Sequence, residues 1–195
     1  EGRISVIFGG DGAVAQGIFH EGMNLAAVWK LPVIFLIEDN GFSEGTTSWP
    51  KPGDPRKTRN VKNLGDIGLA YGIPGVTIDG NDPIAVYEAV REAAHRARLE
   101  GIPSVVHCLT CRQRGHYVGD VQLYRSEEDI AECAKRDPIP RFRKRLVENG
   151  IKEQELTEID EEITKEIEEA VKFARENPHP APKEAYTDVS DGVEV

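Results

Sequence analysis

Asp11 sits between Gly10 and Gly12 directly after a short apolar run, and Asn40 follows a second apolar run twenty-nine positions later. A carboxylate, an amide oxygen and a backbone carbonyl from the following turn can take three oxygen positions around magnesium, leaving the others to phosphate and water. Gly10 and Gly12 let the backbone come close to a phosphate, and a helix opening near Ala13 to Gln16 turns unpaired N–H groups towards it. The outline is a metal–diphosphate site. Spacing alone leaves two other readings open. Gly10-Asp11-Gly12-Ala13-Val14-Ala15 also fits the dinucleotide pattern GxGxx(G/A), with Glu38 placed to hold a ribose hydroxyl; a purely structural turn is the third reading. Charge disfavours the dinucleotide, because Asp11 would face a pyrophosphate with like charge unless a cation bridged them.

A second constellation lies between Arg112 and Arg125, where His116 is flanked by Arg112, Arg114 and Gly115. A histidine in a flexible loop can bring a proton or a positive charge to a phosphate, although on composition alone a solvated loop histidine is the commoner case. Cys108-x-x-Cys111 with His107 beside it invites a zinc or redox reading, which fails. Residues three apart on a strand point to opposite faces, and Cys133 does not complete a four-ligand site. Three free thiols, fitting a reducing compartment, are the expectation.

The elements that must position these groups follow from hydrophobic period and punctuation. Ile4 to Phe8, closed by Gly9 and Gly10, predicts a strand buried on both faces; Gln16 to Lys30 predicts a helix ended by Leu31-Pro32; Val33 to Ile37 predicts a second buried strand. Such a βαβ unit makes the strands parallel and opens both strand ends on one sheet edge, where α/β sheets bind ligands. Gly41 to Asn63 is a long polar loop leaving that edge, with even claims to be a cover or a solvated excursion. A short helix over Leu64 to Tyr71, strands at Val76–Ile78 and Pro103–Leu109, and a helix over Ile84 to Leu99 capped by Asp82 complete a doubly wound, mainly parallel α/β sheet. The expected division is a core over 1–125 and a helical extension over 126–195 packed on it. In that extension Leu156, Ile159, Ile163, Ile167, Ala170, Val171 and Ala174 form one apolar stripe.

Charge is uneven. Residues 151–195 hold fourteen acidic and five basic side chains, so nearly all of the net −10 lies there. With no basic face, nucleic acid is excluded as an expected partner. No apolar run is long enough to span a bilayer and no signal-peptide pattern opens the chain, so no membrane partner is expected and a cytoplasmic or organelle-matrix location is the default.

Beyond the two constellations, a series of blocks in one order resembles a known family. Gly10-Asp11-Gly12 with Asn40 looks like the thiamine diphosphate motif. Gly17-Ile18-Phe19-His20-Glu21, Trp29-Lys30-Leu31-Pro32-Val33, Tyr71-Gly72-Ile73-Pro74-Gly75, Arg114-Gly115-His116, Tyr124-Arg125 and Asp137-Pro138-Ile139 resemble the alpha subunit of thiamine-dependent 2-oxo acid and acetoin dehydrogenase complexes. The resemblance implies the thiamine diphosphate-binding fold, with Asp11, Asn40 and the Phe42 carbonyl on magnesium. It places Gly10, Gly12 and Ala13 against the diphosphate and makes His116 the catalytic candidate, touching phosphate or moving a proton from an ordering loop held by Asp120 and Tyr124-Arg125. It further implies a beta subunit in a heterotetramer that supplies the activating glutamate, and a lipoyl-bearing acyltransferase that receives the acyl group. Two positions depart from the pattern: Asp39 stands where the family has a paired asparagine, and Tyr117 stands where some members carry a regulatory phosphoserine. The GHxxGDxxxYR form is closer to acetoin-type members. The chain starts on a strand without Met, which reads as an internal fragment or processed product lacking an upstream segment with further diphosphate contacts. The competing expectation is therefore a non-catalytic assembly module of the same fold, with a dinucleotide oxidoreductase as the third class.

Overall fold

In a computed structural model of the chain, residues 2–48 and 58–187 are described. The chain divides into two compact units, Glu1–Lys144 and Arg145–Val195.

The first unit is built on four parallel strands in the order β1-β2-β6-β5: β1 (Ser5–Gly10), β2 (Val33–Asp39), β5 (Gly75–Asp79) and β6 (Ser104–Leu109). Between them in sequence come α1 (Gly17–Trp29), a two-stranded hairpin of β3 (Phe42–Ser43) and β4 (Thr46–Thr47), a 3-10 helix (Leu64–Tyr71) and α2 (Pro83–Glu100). The β2 run VIFLI lies between two neighbours and is buried on both faces, as a near-continuous apolar strand requires. Its side chains alternate. Phe35 and Ile37 pack with Met23 and Ala26 of α1 and with Leu64, Ile73 and Val105 on one face, while Ile34 and Leu36 meet Ala93 and Ala94 of α2 with Val106 and Cys108 on the other. Helices thus cover both faces and the doubly wound parallel sheet is observed.

One expectation changes. β1, read from its apolar run as buried on both faces, is instead the edge strand, with Ile7 44% and Phe8 67% exposed, because no described strand pairs with its outer side. The expected short helix over Leu64–Tyr71 is present and coils as a 3-10 helix. Its turns press on the strand beneath: a Cβ at Gly65 would lie 2.8 Å from Thr77 Oγ1 of β5. Asp82 caps α2 with Pro83 in the first turn, as read from sequence, and Asn63, a cap not read from sequence, closes the 3-10 helix by accepting from the Gly65 N–H. After β6 a long loop leads to α3 (Glu127–Ala134), which opens on the reciprocal Ser126/Asp129 capping box, and then to α4 (Pro138–Glu148).

The second unit holds α5 (Glu153–Glu176) and a short 3-10 turn (Pro182–Tyr186). Ile159, Ile163, Ile167 and Val171 recur along one face of α5, and all are exposed. Among the described residues no helix is long and apolar enough to cross a membrane.

Candidate functional site

The parallel register sets Gly10 beside Glu38, so the residues that follow, Asp11 on one side and Asp39-Asn40 on the other, share one corner at the carboxyl edge of the sheet. Asp11 is 1% exposed, and among the described residues neither of its carboxylate oxygens has a hydrogen-bond partner. Burial pushes its pKa up to about 6; Ser48 opposes this, the Asp39 carboxylate adds to it and Arg59 opposes it. A buried, unpartnered carboxylate is strongly disfavoured unless a cation completes it.

The other oxygen donors converge on the same turn. Asn40 Oδ1 accepts from the Phe42 N–H at 3.0 Å, and Asp39 Oδ1 accepts from the Gly41 N–H at 3.0 Å. Gly41 has φ +80°, the left-handed conformation that this tight turn demands. Gly12 lies against the same hairpin: a Cβ there would stand 2.4 Å from Ser43 Oγ. The Phe42 carbonyl accepts from Arg112 Nη2 at 3.3 Å, which leaves a second lone pair available. Asp11, Gly12, Asn40 and Phe42 are thus brought together, and Ala13 opens a 3-10 turn just beyond them. Among the described residues no cluster of three His, Cys, Asp or Glu side chains could hold a metal ion. The donor set at issue is one carboxylate, one amide oxygen and one carbonyl, a hard-oxygen set that fits magnesium with phosphate and water completing the shell.

The loop carrying His116 is fastened to this corner from the other side. Arg112 donates to the Glu44 carbonyl and, at 2.9 Å, to the Tyr124 hydroxyl, and its guanidinium stacks over the Phe42 and Tyr124 rings. The Tyr124 hydroxyl donates to Asp120 Oδ2 at 2.7 Å, and the His116 and Gln122 N–H groups donate to the same carboxylate. These bonds, that from Tyr124 foremost, hold the Asp120 carboxyl below the usual carboxylate range. Arg125 donates to the Arg112 carbonyl at 2.7 Å and closes the loop on itself. The structure brings the loop to the corner through Phe42 and Tyr124, whose rings are 5.2 Å apart, while the His116 side chain is exposed.

A buried polar chain next to Asn40 was not singled out from sequence. Asp39 Oδ2 receives Arg59 Nη2 at 2.5 Å and His107 Nε2 at 2.8 Å, and His107 Nδ1 lies 3.0 Å from Thr77 Oγ1. Thr77 in turn donates to Asn63 Oδ1, which also accepts from the Gly65 N–H. With Asp39 ionised, His107 Nε2 donates to its carboxylate. Although burial pushes the Asp39 pKa up, His107, Arg59 and the Gly41 N–H outweigh it and hold the group ionised below the usual range. The sequence signal was present: His107 interrupts the apolar run of β6, and Asp39 follows Glu38 at the end of β2. A cleft of about 420 Å³ opens above this chain, lined by Asn40, Arg59, Lys62, Thr77, His107 and Arg136 among others.

The cysteine expectation is corrected. Cys111 and Cys133 are joined as a disulfide, with Cα atoms 5.6 Å apart, so only Cys108 is free. Pairing across twenty-two positions brings together residues that local spacing could not relate. Cys108 is buried in the face that packs on α2, and burial pushes its thiol up to about 11, with Glu38 adding to the shift. The Cys108-x-x-Cys111 pair therefore forms neither a zinc site nor a redox couple.

Fold and corner together define a parallel α/β domain with a cleft at the carboxyl strand ends. The sequence model of the family described as dehydrogenase E1 component matches residues 1–183, and the chain belongs to that family. It is 41% identical over 188 residues, 96% of this chain and 54% of the relative, to the alpha subunit of acetoin:2,6-dichlorophenolindophenol oxidoreductase from Bacillus subtilis. The subunit of the same name from Cupriavidus necator is 41% identical, covering 97% of this chain and 55% of that one. The alpha subunit of the pyruvate dehydrogenase E1 component from Rickettsia bellii is 36% identical, covering 96% of this chain and 56% of that one. The chain spans about half the length of the curated relatives it matches.

Proposed function

We infer that this chain is the cofactor-diphosphate half of the alpha subunit of a thiamine diphosphate-dependent dehydrogenase acting on a 2-oxo acid or acetoin. The observation that carries the reading is Asp11: a carboxylate buried at a strand tip with both oxygens unpartnered among the described residues, beside an amide oxygen and a turn carbonyl. Asp11, Asn40 and the Phe42 carbonyl would hold magnesium; Gly10, Gly12 and Ala13 would admit the diphosphate to the backbone. Thiamine diphosphate, when bound, supplies the carbon nucleophile and electron sink needed to cleave a bond next to a carbonyl.

This chain's own residues hold, orient and cover. Asp39, fixed by His107 and Arg59, anchors the Gly41 N–H and so sets the turn that presents Asn40 and Phe42. The loop over 112–125 closes on the corner through Arg112 and Tyr124, and His116 on that loop would meet phosphate or move a proton. A beta subunit would provide the carboxylate that activates the cofactor and complete a heterotetramer, and a lipoyl-bearing acyltransferase would take the acyl product.

The test is reconstitution. The full-length alpha subunit, mixed with its beta subunit, thiamine diphosphate and magnesium, is expected to oxidise a 2-oxo acid or acetoin with an artificial electron acceptor, and each component alone is expected to be inactive. Turnover that ignores the cofactor or the beta subunit would overturn the reading.

A further inference from the structure

The loop over 112–132 holds the His116 segment to the hairpin through Arg112 and Tyr124, and a sulfur pair closes it at its base. Cys111 lies two residues beyond the end of β6 and Cys133 in the last turn of α3. Arg112, the next residue, bonds the Phe42 and Glu44 carbonyls and the Tyr124 hydroxyl. Gln113 then bonds back to the Cys133 carbonyl at 3.1 Å, so both strands of the loop base are tied to α3.

Both redox states are provided for. In the oxidised state the sulfurs are joined. In the reduced state the Cys133 thiol has an acceptor in place, since its Sγ is 3.2 Å from the Arg112 carbonyl oxygen. A thiol can therefore stand there without an unsatisfied buried group. The two sulfurs also differ in access: Cys133 is 4% exposed, whereas Cys111 is half-buried at the foot of a surface loop. An incoming thiolate meets Cys111 first.

We propose that Cys111–Cys133 is a thiol–disulfide exchange site, taking a dithiol or glutathione-type thiol as its partner, whose closed form fastens the 112–132 loop over the corner formed by Asp11, Asn40 and Phe42. The exchange balances as follows. A thiolate of the dithiol attacks Cys111 Sγ and the Cys111–Cys133 bond breaks, leaving a mixed disulfide and a Cys133 thiolate that takes a proton. The second thiolate of the reagent attacks its own mixed-disulfide sulfur and expels Cys111, which is protonated in turn. The reagent loses two electrons to become a disulfide, and its two protons match those gained by the cysteines. A cross-link over twenty-two positions removes chain entropy from the states in which the loop is loose, so the oxidised form favours the docked loop.

Only the effect on cofactor affinity rests on the proposed function; the thiol chemistry does not. The experiment compares the full-length protein equilibrated with oxidised glutathione and with dithiothreitol. Alkylation with mass mapping is expected to find Cys111 and Cys133 blocked in the first and reactive in the second, with Cys108 outside the pair. Amide hydrogen exchange over 113–125 is expected to quicken about tenfold on reduction, a typical coupling between linked sites, and in Cys133→Ser to match the reduced protein under both conditions. A pair that never forms, one that includes Cys108, or exchange indifferent to redox state would overturn the proposal. Titration with thiamine diphosphate and magnesium separates the two readings. Binding that is metal-dependent but equal in both redox states overturns the coupling to the corner, while no binding in either state counts against the proposed function and leaves the latch to be judged by the exchange data.

Discussion

Asp11 and Asp39 are buried carboxylates at the tips of adjacent parallel strands, and they are pushed in opposite directions: Asp39 is held ionised by Arg59 and His107, while Asp11 has no hydrogen-bond partner among the described residues and its pKa is raised by burial to about 6. One carboxylate builds the turn and the other is available to a cation.

A proton competes with metal for Asp11. The folded pKa of about 6 lies above the ordinary carboxylate value of 3.8, so without metal the group contributes stability that is fully present below about pH 4 and is lost as pH rises through about 6. Metal binding carries the opposite sign, because the ligand must be deprotonated. Magnesium-dependent cofactor affinity is expected to fall by up to about tenfold for each pH unit below 6, as read by titration calorimetry between pH 5 and 7.5. Affinity flat across that window would contradict the assignment of Asp11.

Replacing Asp11 by Asn removes the buried charge and keeps the shape. Apo stability at pH 8 is expected to rise by about 1–2 kcal/mol in chemical denaturation, while metal-dependent binding is lost. A variant less stable than the parent would mean that the carboxylate is satisfied in the apo protein.

Breaking the Asp39 pair acts the other way. His107→Ala leaves Asp39 with Arg59 and the Gly41 N–H, and Thr77 with a broken chain, and is expected to cost about 3 kcal/mol of stability, measured by urea unfolding. Asp39→Asn with His107→Gln restores neutral hydrogen bonding and should recover a large part of that loss; no recovery would mean that the charge itself is required.

Gly12→Ala drives a methyl into Ser43, whose Oγ would be 2.4 Å away. The expected cost is about 1–3 kcal/mol together with weaker cofactor binding, and Ser43→Gly in the same chain should relieve part of it. Full stability of the single variant would show that the hairpin does not press on this turn.

Much of the architecture was legible because it rests on local signals. The VIFLI run, the capped α2 and the Ser126/Asp129 box form as their residues dictate, and the parallel sheet follows from strands separated by helices. The corner joining Asp11, Gly12, Asn40 and Phe42 was legible because two strand tips in one βαβ unit must meet. Non-local pairings were not. Asp39 with His107 is a contact across sixty-eight positions, and Cys111 with Cys133 needs the whole intervening loop to fold back. The exposure of Ile7 and Phe8 was likewise hidden, since an apolar run has the same sequence pattern at an edge as in the middle of a sheet.

The most direct measurement is calorimetric titration of thiamine diphosphate into the full-length protein with magnesium, with chelator, and with Asp11→Asn. Binding that needs both the metal and the Asp11 carboxylate is the expected result. Binding of equal strength with chelator, or in the Asp11→Asn protein, would contradict the claim that this buried carboxylate holds the cofactor's metal.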